Sequence, residues 1–165
     1  MKPYVVGIDL GGTNTVFGIV DARGVVIASS SIKTCKHNTV DGFIEDLYVE
    51  LTRLIKANDA EGKIHGIGIG APNANYYTGM IEDAVNLPWP TPIPLAKLVS
   101  EKFGIPVTIT NDANAAAIGE MTYGAARGLK DFIMITLGTG VGSGIVINGQ
   151  LVYGHDGFAG ELGHV

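Results

Sequence analysis

Two glycine-rich stretches carry the residue types that handle phosphate. The first, Asp9-Leu-Gly-Gly-Thr-Asn-Thr15, puts one carboxylate near the end of an apolar run and follows it with two glycines and two threonine hydroxyls. Glycines let backbone N–H groups come close to an anion, Thr13 and Thr15 add hydroxyl donors, and Asp9 has the ligand chemistry of the magnesium ion that accompanies a nucleoside triphosphate. Taken alone, this stretch fits a tight Gly-Gly hairpin turn equally well. The second stretch runs from Ile135 to Val146 and repeats the first with a one-residue gap. Each has an apolar run ending in Leu-Gly, a short Gly/Thr turn and a return through Gly-Ile-Val. A duplicated hairpin of this kind, its turns facing across a cleft, would hold the phosphate tail of one nucleotide from both sides through Gly11, Gly12 and Thr13 on one side and Gly138, Thr139 and Gly140 on the other.

Phosphoryl transfer also needs a base, and Asn111-Asp112 supplies a candidate. An ionised carboxylate takes the proton of a hydroxyl as its oxygen attacks phosphorus. The same pair reads equally well as a helix N-cap, where Asn and Asp are favoured. Further on, Gly157-Phe-Ala-Gly-Glu-Leu-Gly-His164 sets Glu161 and His164 three residues apart, on one face of a helical turn. Together they suit sugar hydroxyls, and His164 also suits a metal. The remaining histidines, His37, His65 and His155, read as surface or packing residues.

The elements that would position these groups follow from periodicity. Val5 to Leu10, Val16 to Val20 and Val25 to Lys33 read as an antiparallel meander rich in Val and Ile. Asp41 to Ala57 spaces Phe43, Ile44, Leu47, Tyr48, Leu51, Leu54 and Ile55 by threes and fours, which only a helix brings together. Ile64 to Ala71 is a buried strand. Its Gly66-x-Gly68-x-x-Ala71 is no dinucleotide site, because Pro72 and Asn73 follow where a helix should open. Asn73 to Pro90 is long for a plain connection. A second helix is expected from Pro92 to Phe103, with Thr91 as N-cap and Gly104 as stop, then a strand Val107 to Thr110 and a helix Ala113 to Tyr123 closed by Gly124. Asn111-Asp112 thus falls at the carboxyl end of a strand, where open α/β sheets bind ligands. After Lys130 the strand pattern restarts with Phe132 to Leu137, Ser143 to Ile147 and Gln150 to Tyr153.

Composition narrows the class. Charged residues make up 16% of the 165, against about 25% in an average domain, and 24 glycines favour a buried sheet with many tight turns. A net charge of −5 with scattered basic residues offers no stripe for nucleic acid or anionic membrane. No apolar run approaches a membrane span, and a single cysteine, Cys35, fits a reducing cytoplasm.

In order and spacing, Asp9-Leu-Gly-Gly-Thr13, Asn86-Leu-Pro-Trp89, Asn111-Asp-Ala-Asn114, Leu137-Gly-Thr-Gly-Val-Gly142 and Gly157 to His164 resemble the ROK family of sugar kinases and repressors, especially the N-terminal portion of its bacterial glucokinase-type members. The resemblance spans essentially the whole chain. It implies an α/β, ribonuclease-H-like fold of the actin and hexokinase type, with a first domain at residues 1–124 and the first strands of a second, duplicated domain at 125–165. It further implies ATP and a hexose in the cleft between domains, with Asp112 as base, Asn111, Glu161 and His164 on the sugar, and the two glycine turns on the phosphates. Zinc at His164, shared with cysteines that the family places downstream, and a homodimer are implied for the longer protein. The expected reaction is transfer of the γ-phosphoryl of Mg-ATP to the 6-hydroxyl of glucose. Fructose, mannose or an N-acetylated hexosamine are the alternative substrates. A sugar-responsive repressor is the alternative class, disfavoured here because such repressors carry a helix-turn-helix domain first, whereas the phosphate strand begins a few residues after Met1. The 165 residues by themselves are expected to be inactive and to expose Ile133, Ile135, Val146 and Ile147.

Overall fold

A computed structural model gives the architecture. It describes residues 3–138 and 140–164, the last of these in backbone only. The elements are β1 (Tyr4–Leu10), β2 (Asn14–Asp21), β3 (Val26–Lys33), α1 (Val40–Ala57), β4 (Ile64–Gly70), α2 (Leu95–Phe103), β5 (Val107–Thr110), α3 (Asp112–Tyr123), β6 (Phe132–Leu137), β7 (Val141–Ile147) and β8 (Gln150–Leu151), with 3-10 turns at Thr34–Lys36 and Leu162–His164. β1 to β5 form one sheet in the order β3-β2-β1-β4-β5, and β6 to β8 form a second in sequence order. The expected meander is antiparallel, while β4 and β5 extend the sheet parallel to β1.

Alternation along β1 turns Val6, Ile8 and Leu10 into the core, where Phe17 and Ile19 of β2 and Ile67 and Ile69 of β4 join them. α1 covers that face with Phe43, Ile44, Leu47, Leu51 and Ile55. Tyr48, expected on the same face, lies at its edge against Phe103. Thr39 caps α1 by accepting the Gly42 N–H at 3.2 Å. Leu95 and Val99 of α2 complete the layer, and Gly104 ends that helix at φ +64°. The parity that buries Leu10 sends Asp9 to the other side, toward α3.

Four sequence expectations are corrected. α2 starts at Leu95 after Pro94, not at Pro92 after a Thr91 cap. Ile93 exchanges both its backbone hydrogen bonds with Ile81, so this stretch is held extended and the helix cannot begin before it. β7 opens at Val141, and β8 ends at Leu151 rather than Tyr153, whose ring instead stacks on Tyr76. Val146 is buried, 1% exposed, because it faces the opposite side of β7 from Ile147. α3 covers that side, and Gly144 makes the approach possible, since a Cβ there would lie 2.6 Å from the Ala117 methyl.

The far face of the second sheet is open. Ile133, Ile135, Leu137 and Ile147 are more than half exposed. This chain by itself is expected to self-associate through that face at micromolar concentration. Sedimentation velocity checks this, with a Leu137→Lys, Ile135→Lys double variant shifting the population toward monomer. No helix among the described residues is long and apolar enough to cross a membrane.

Candidate active site

The site lies where the parallel strands β1, β4 and β5 end side by side. Asp9 pairs in register with Gly70, where a Cβ would come within 3.6 Å of the Asp112 backbone, so no side chain from this position separates the two carboxylates. Asn111 caps α3 and also reaches Glu161. Its Oδ1 caps α3 by accepting from the Ala113 and Asn114 N–H groups at 2.8 and 3.4 Å, while its Nδ2 donates to Glu161 Oε1 at 2.7 Å. The cap fixes the amide plane, so the outward N–H has one direction and Glu161 is drawn to it across 50 residues of sequence. Asp112, the first residue of α3, accepts the Ala113 N–H at 2.8 Å and remains exposed.

A cleft of about 460 Å³ is lined by Asn111, Asp112 and Glu161 together with Thr136, Gly138, Gly140 and Gly142 of the second hairpin. Pro72, Asn73 and Asn86 close its remaining side. An adjoining cavity is lined by Asp9, Gly70, Asp112 and Thr136. Of the residues expected at the site, Asn111, Asp112, Glu161, Gly138 and Gly140 are thus brought together, with Asp9 next door. Gly11, Gly12 and Thr13 do not line the cleft itself. Gly12 packs against the Asn86 carbonyl so closely that a Cβ there would sit 2.1 Å from it. Thr139 lies outside the described residues, as does the side chain of His164. Pro72, Asn73, Asn86 and Thr136 were missed by site reasoning from sequence. The length of the 73–90 connection was the signal available for Asn73 and Asn86.

The two hairpins match in the detail expected of a duplication. Leu10 pairs with Thr15 and Leu137 with Val141, each antiparallel, with the one-residue difference taken up in the turn. In the second turn the Gly138 N–H donates to the Gly140 carbonyl at 3.0 Å.

Partial desolvation, and then the negative charge of Asp112, push the Asp9 carboxyl above its ordinary range. Among the described residues no salt bridge reaches Asp9 or Asp112. Two neighbouring carboxylates without a cation suit a hard divalent ion with oxygen ligands. Among the described residues no group of three His, Cys, Asp or Glu is placed to hold a metal ion, and the zinc expected at His164 falls on a side chain outside those residues.

The raised Asp9 value has a consequence for stability. A carboxyl whose folded pKa exceeds its unfolded one contributes stability that is present at low pH and lost as pH rises through the folded value. Asp9→Asn is therefore expected to raise the melting temperature of the ligand-free protein at neutral pH, with the gain vanishing below the ordinary carboxylate range. Thermal melts from acid to neutral pH check this, and an unchanged or lower melting temperature at neutral pH contradicts it.

A mixed α/β fold with a carboxylate and a glycine turn at the ends of adjoining strands is the architecture of the actin and hexokinase class of ATPases, and solved structures of that class match it. A ROK family glucokinase from Streptomyces griseus, in complex with glucose and AMPPNP, superposes with a TM-score of 0.81 at 36% identity, covering 98% of this chain and 50% of that one. The ROK hexokinase of Thermus thermophilus superposes at 0.85 and 33% identity, covering 98% and 53%. The chain belongs to the ROK family, whose profile matches residues 5–165. Among curated relatives, the glucokinase of Halalkalibacterium halodurans is 39% identical over 98% of this chain and 49% of its own length, and the xylose repressor of Bacillus spizizenii is 35% identical over 98% and 42%. The chain spans about half the length of the curated relatives it matches.

Proposed function

We propose that the protein containing this chain transfers the γ-phosphoryl group of ATP to a hexose hydroxyl, most directly the 6-hydroxyl of glucose. The observation that carries the reading is the Asn111–Glu161 hydrogen bond, which joins two hydroxyl-binding side chains beside Asp112 in a cleft floored by a glycine turn. Relatives named glucokinase, one solved with glucose and AMPPNP, support it.

In this reading Asn111 and Glu161 orient the sugar, with His164 beside them, so that one hydroxyl lies against Asp112. Asp112 accepts the proton of that hydroxyl as the new O–P bond forms and the bond from the γ-phosphorus to the bridging oxygen breaks. In this reading the phosphates lie against the second turn, where Gly138 and Gly140 line the cleft, while the first turn, Gly11 to Thr13, stands outside it. Asp9 would hold the divalent cation, magnesium in this reading, which neutralises phosphate charge when bound. Residues 1–124 form the first domain and 125–165 open the second.

A second reading is favoured by the relative named as a xylose repressor. There the same cleft binds a sugar as a signal and no phosphoryl group moves. Isothermal titration of the full-length protein with an ATP analogue and a panel of hexoses separates the two. The kinase reading expects binding of both ligands and tighter sugar binding with nucleotide present, whereas sugar binding with no nucleotide heat supports the regulator. The same panel ranks glucose against fructose, mannose and N-acetylated hexosamines.

A further inference from the structure

We propose that Asn75 is the positioning residue of the arm that carries Glu161 to the cleft. The kinetic consequence rests on the sugar-kinase reading, while the structural one does not. Asn75 is 3% exposed, and every polar atom of its side chain is engaged. Its Oδ1 accepts the Tyr77 and Thr78 N–H groups at 2.9 and 3.4 Å, which shapes its own loop. Its Nδ2 donates to the Asp156 carbonyl at 2.8 Å, 81 residues away in sequence. Gly157 lies flat on the same amide, where a Cβ would come within 2.6 Å of Oδ1.

The next two residues tighten the grip. Tyr76 stacks on Tyr153 with ring centroids 4.2 Å apart and planes 11° from parallel, and the Tyr77 hydroxyl donates to the Gly154 carbonyl at 3.1 Å. Asn75, Tyr76 and Tyr77 therefore clasp the start of the arm at three successive points. Its end is tied by Ser143 Oγ to the Gly160 carbonyl and by Glu161 to Asn111. Only Gly157-Phe-Ala-Gly160 lies between Asp156 and Glu161, so a shift at one end displaces the other. The clasp itself stands on a firm base. Its loop is pinned by the Ile81–Ile93 backbone pair and by Trp89, which packs on Phe43 and donates from Nε1 to the His37 carbonyl at 2.9 Å. A site held by rigid supports keeps its geometry, and a loose support is felt as lost affinity.

Asn75→Asp isolates the role. Aspartate keeps the acceptor for both loop N–H groups, loses the donor to Asp156 and sets a carboxylate oxygen against that carbonyl. In the full-length protein the hexose KM is expected to rise about fivefold, the loss of one partly buried hydrogen bond, while kcat and the ATP KM stay within about twofold. Amide hydrogen exchange is expected to accelerate in residues 154–161 and to remain unchanged in β1, β2 and α1. A rise in both KM values together, or wild-type exchange in 154–161 with a wild-type hexose KM, overturns the proposal. If the unmutated protein turns over no hexose, the kinase reading falls, and exchange alone decides: acceleration confined to 154–161 keeps Asn75 as the positioning residue, and global or absent acceleration removes it.

Discussion

Asp112→Asn in the full-length protein is expected to lower hexose-dependent turnover by about 100-fold or more while hexose affinity stays within a few fold. The substitution is nearly isosteric, and its effect on the fold is small for a visible reason. The cap of α3 is supplied by Asn111, not by Asp112, and the Asp112 side chain accepts the neighbouring Ala113 N–H, which Asn111 also holds. Asn111, Glu161 and the arm behind them are untouched. What is lost is the acceptor for the sugar hydroxyl proton, a group whose contribution appears in the transition state and hardly in the ground state. Turnover within a few fold of wild type would leave Asp112 as an ordinary first-turn carboxylate that favours the helix N-terminus.

The second large effect separates the two glycine turns. A Cβ at Gly138, which lines the cleft, would meet nothing within 4 Å. Gly138→Val is expected to raise the ATP KM by about tenfold or more, with the melting temperature changed by no more than about 1 °C, because the added methyls occupy phosphate space and strain nothing. The sequence pattern alone suggests instead that a side chain there would push the backbone away. Gly12→Ala behaves differently, since its Cβ would sit 2.1 Å from the Asn86 carbonyl and either the turn or the 73–90 loop must move. It is expected to weaken nucleotide use and to lower stability by roughly 1–3 kcal/mol, the usual cost of overpacking. Steady-state kinetics with thermal melts on both variants checks the contrast. Equal losses of hexose and nucleotide in Gly138→Val would make that turn a structural hairpin only.

That contrast also marks what sequence reading reaches in this chain. The meander, α1 and the strand-end position of Asn111-Asp112 are legible because their signals are local: alternation in β1 and β2, threes and fours in α1, glycine at the helix ends. The start of α2 is not, because the Ile81–Ile93 pair that keeps Pro92 out of the helix is a contact between distant segments. Val146 was assigned to the open face by its apolar character alone, although strand parity already separates it from Ile147. The joining of Asn111 to Glu161 was approachable only as two residues suited to one ligand. Their hydrogen bond spans 50 residues, and the Asn75 clasp that supports it spans 81. Asn86 belongs to a motif visible in the sequence, yet its packing against Gly12 depends on how the 73–90 loop folds back. Local chemistry is thus written in the sequence, and the supports that hold it in place are written in the tertiary contacts.

Phosphorus NMR of the full-length protein incubated with ATP, magnesium and glucose reads phosphoryl transfer directly. Appearance of ADP together with a sugar 6-phosphate resonance, both absent without glucose and both lost in Asp112→Asn, is the predicted result. ATP that stays intact while glucose binds would contradict phosphoryl transfer at this cleft.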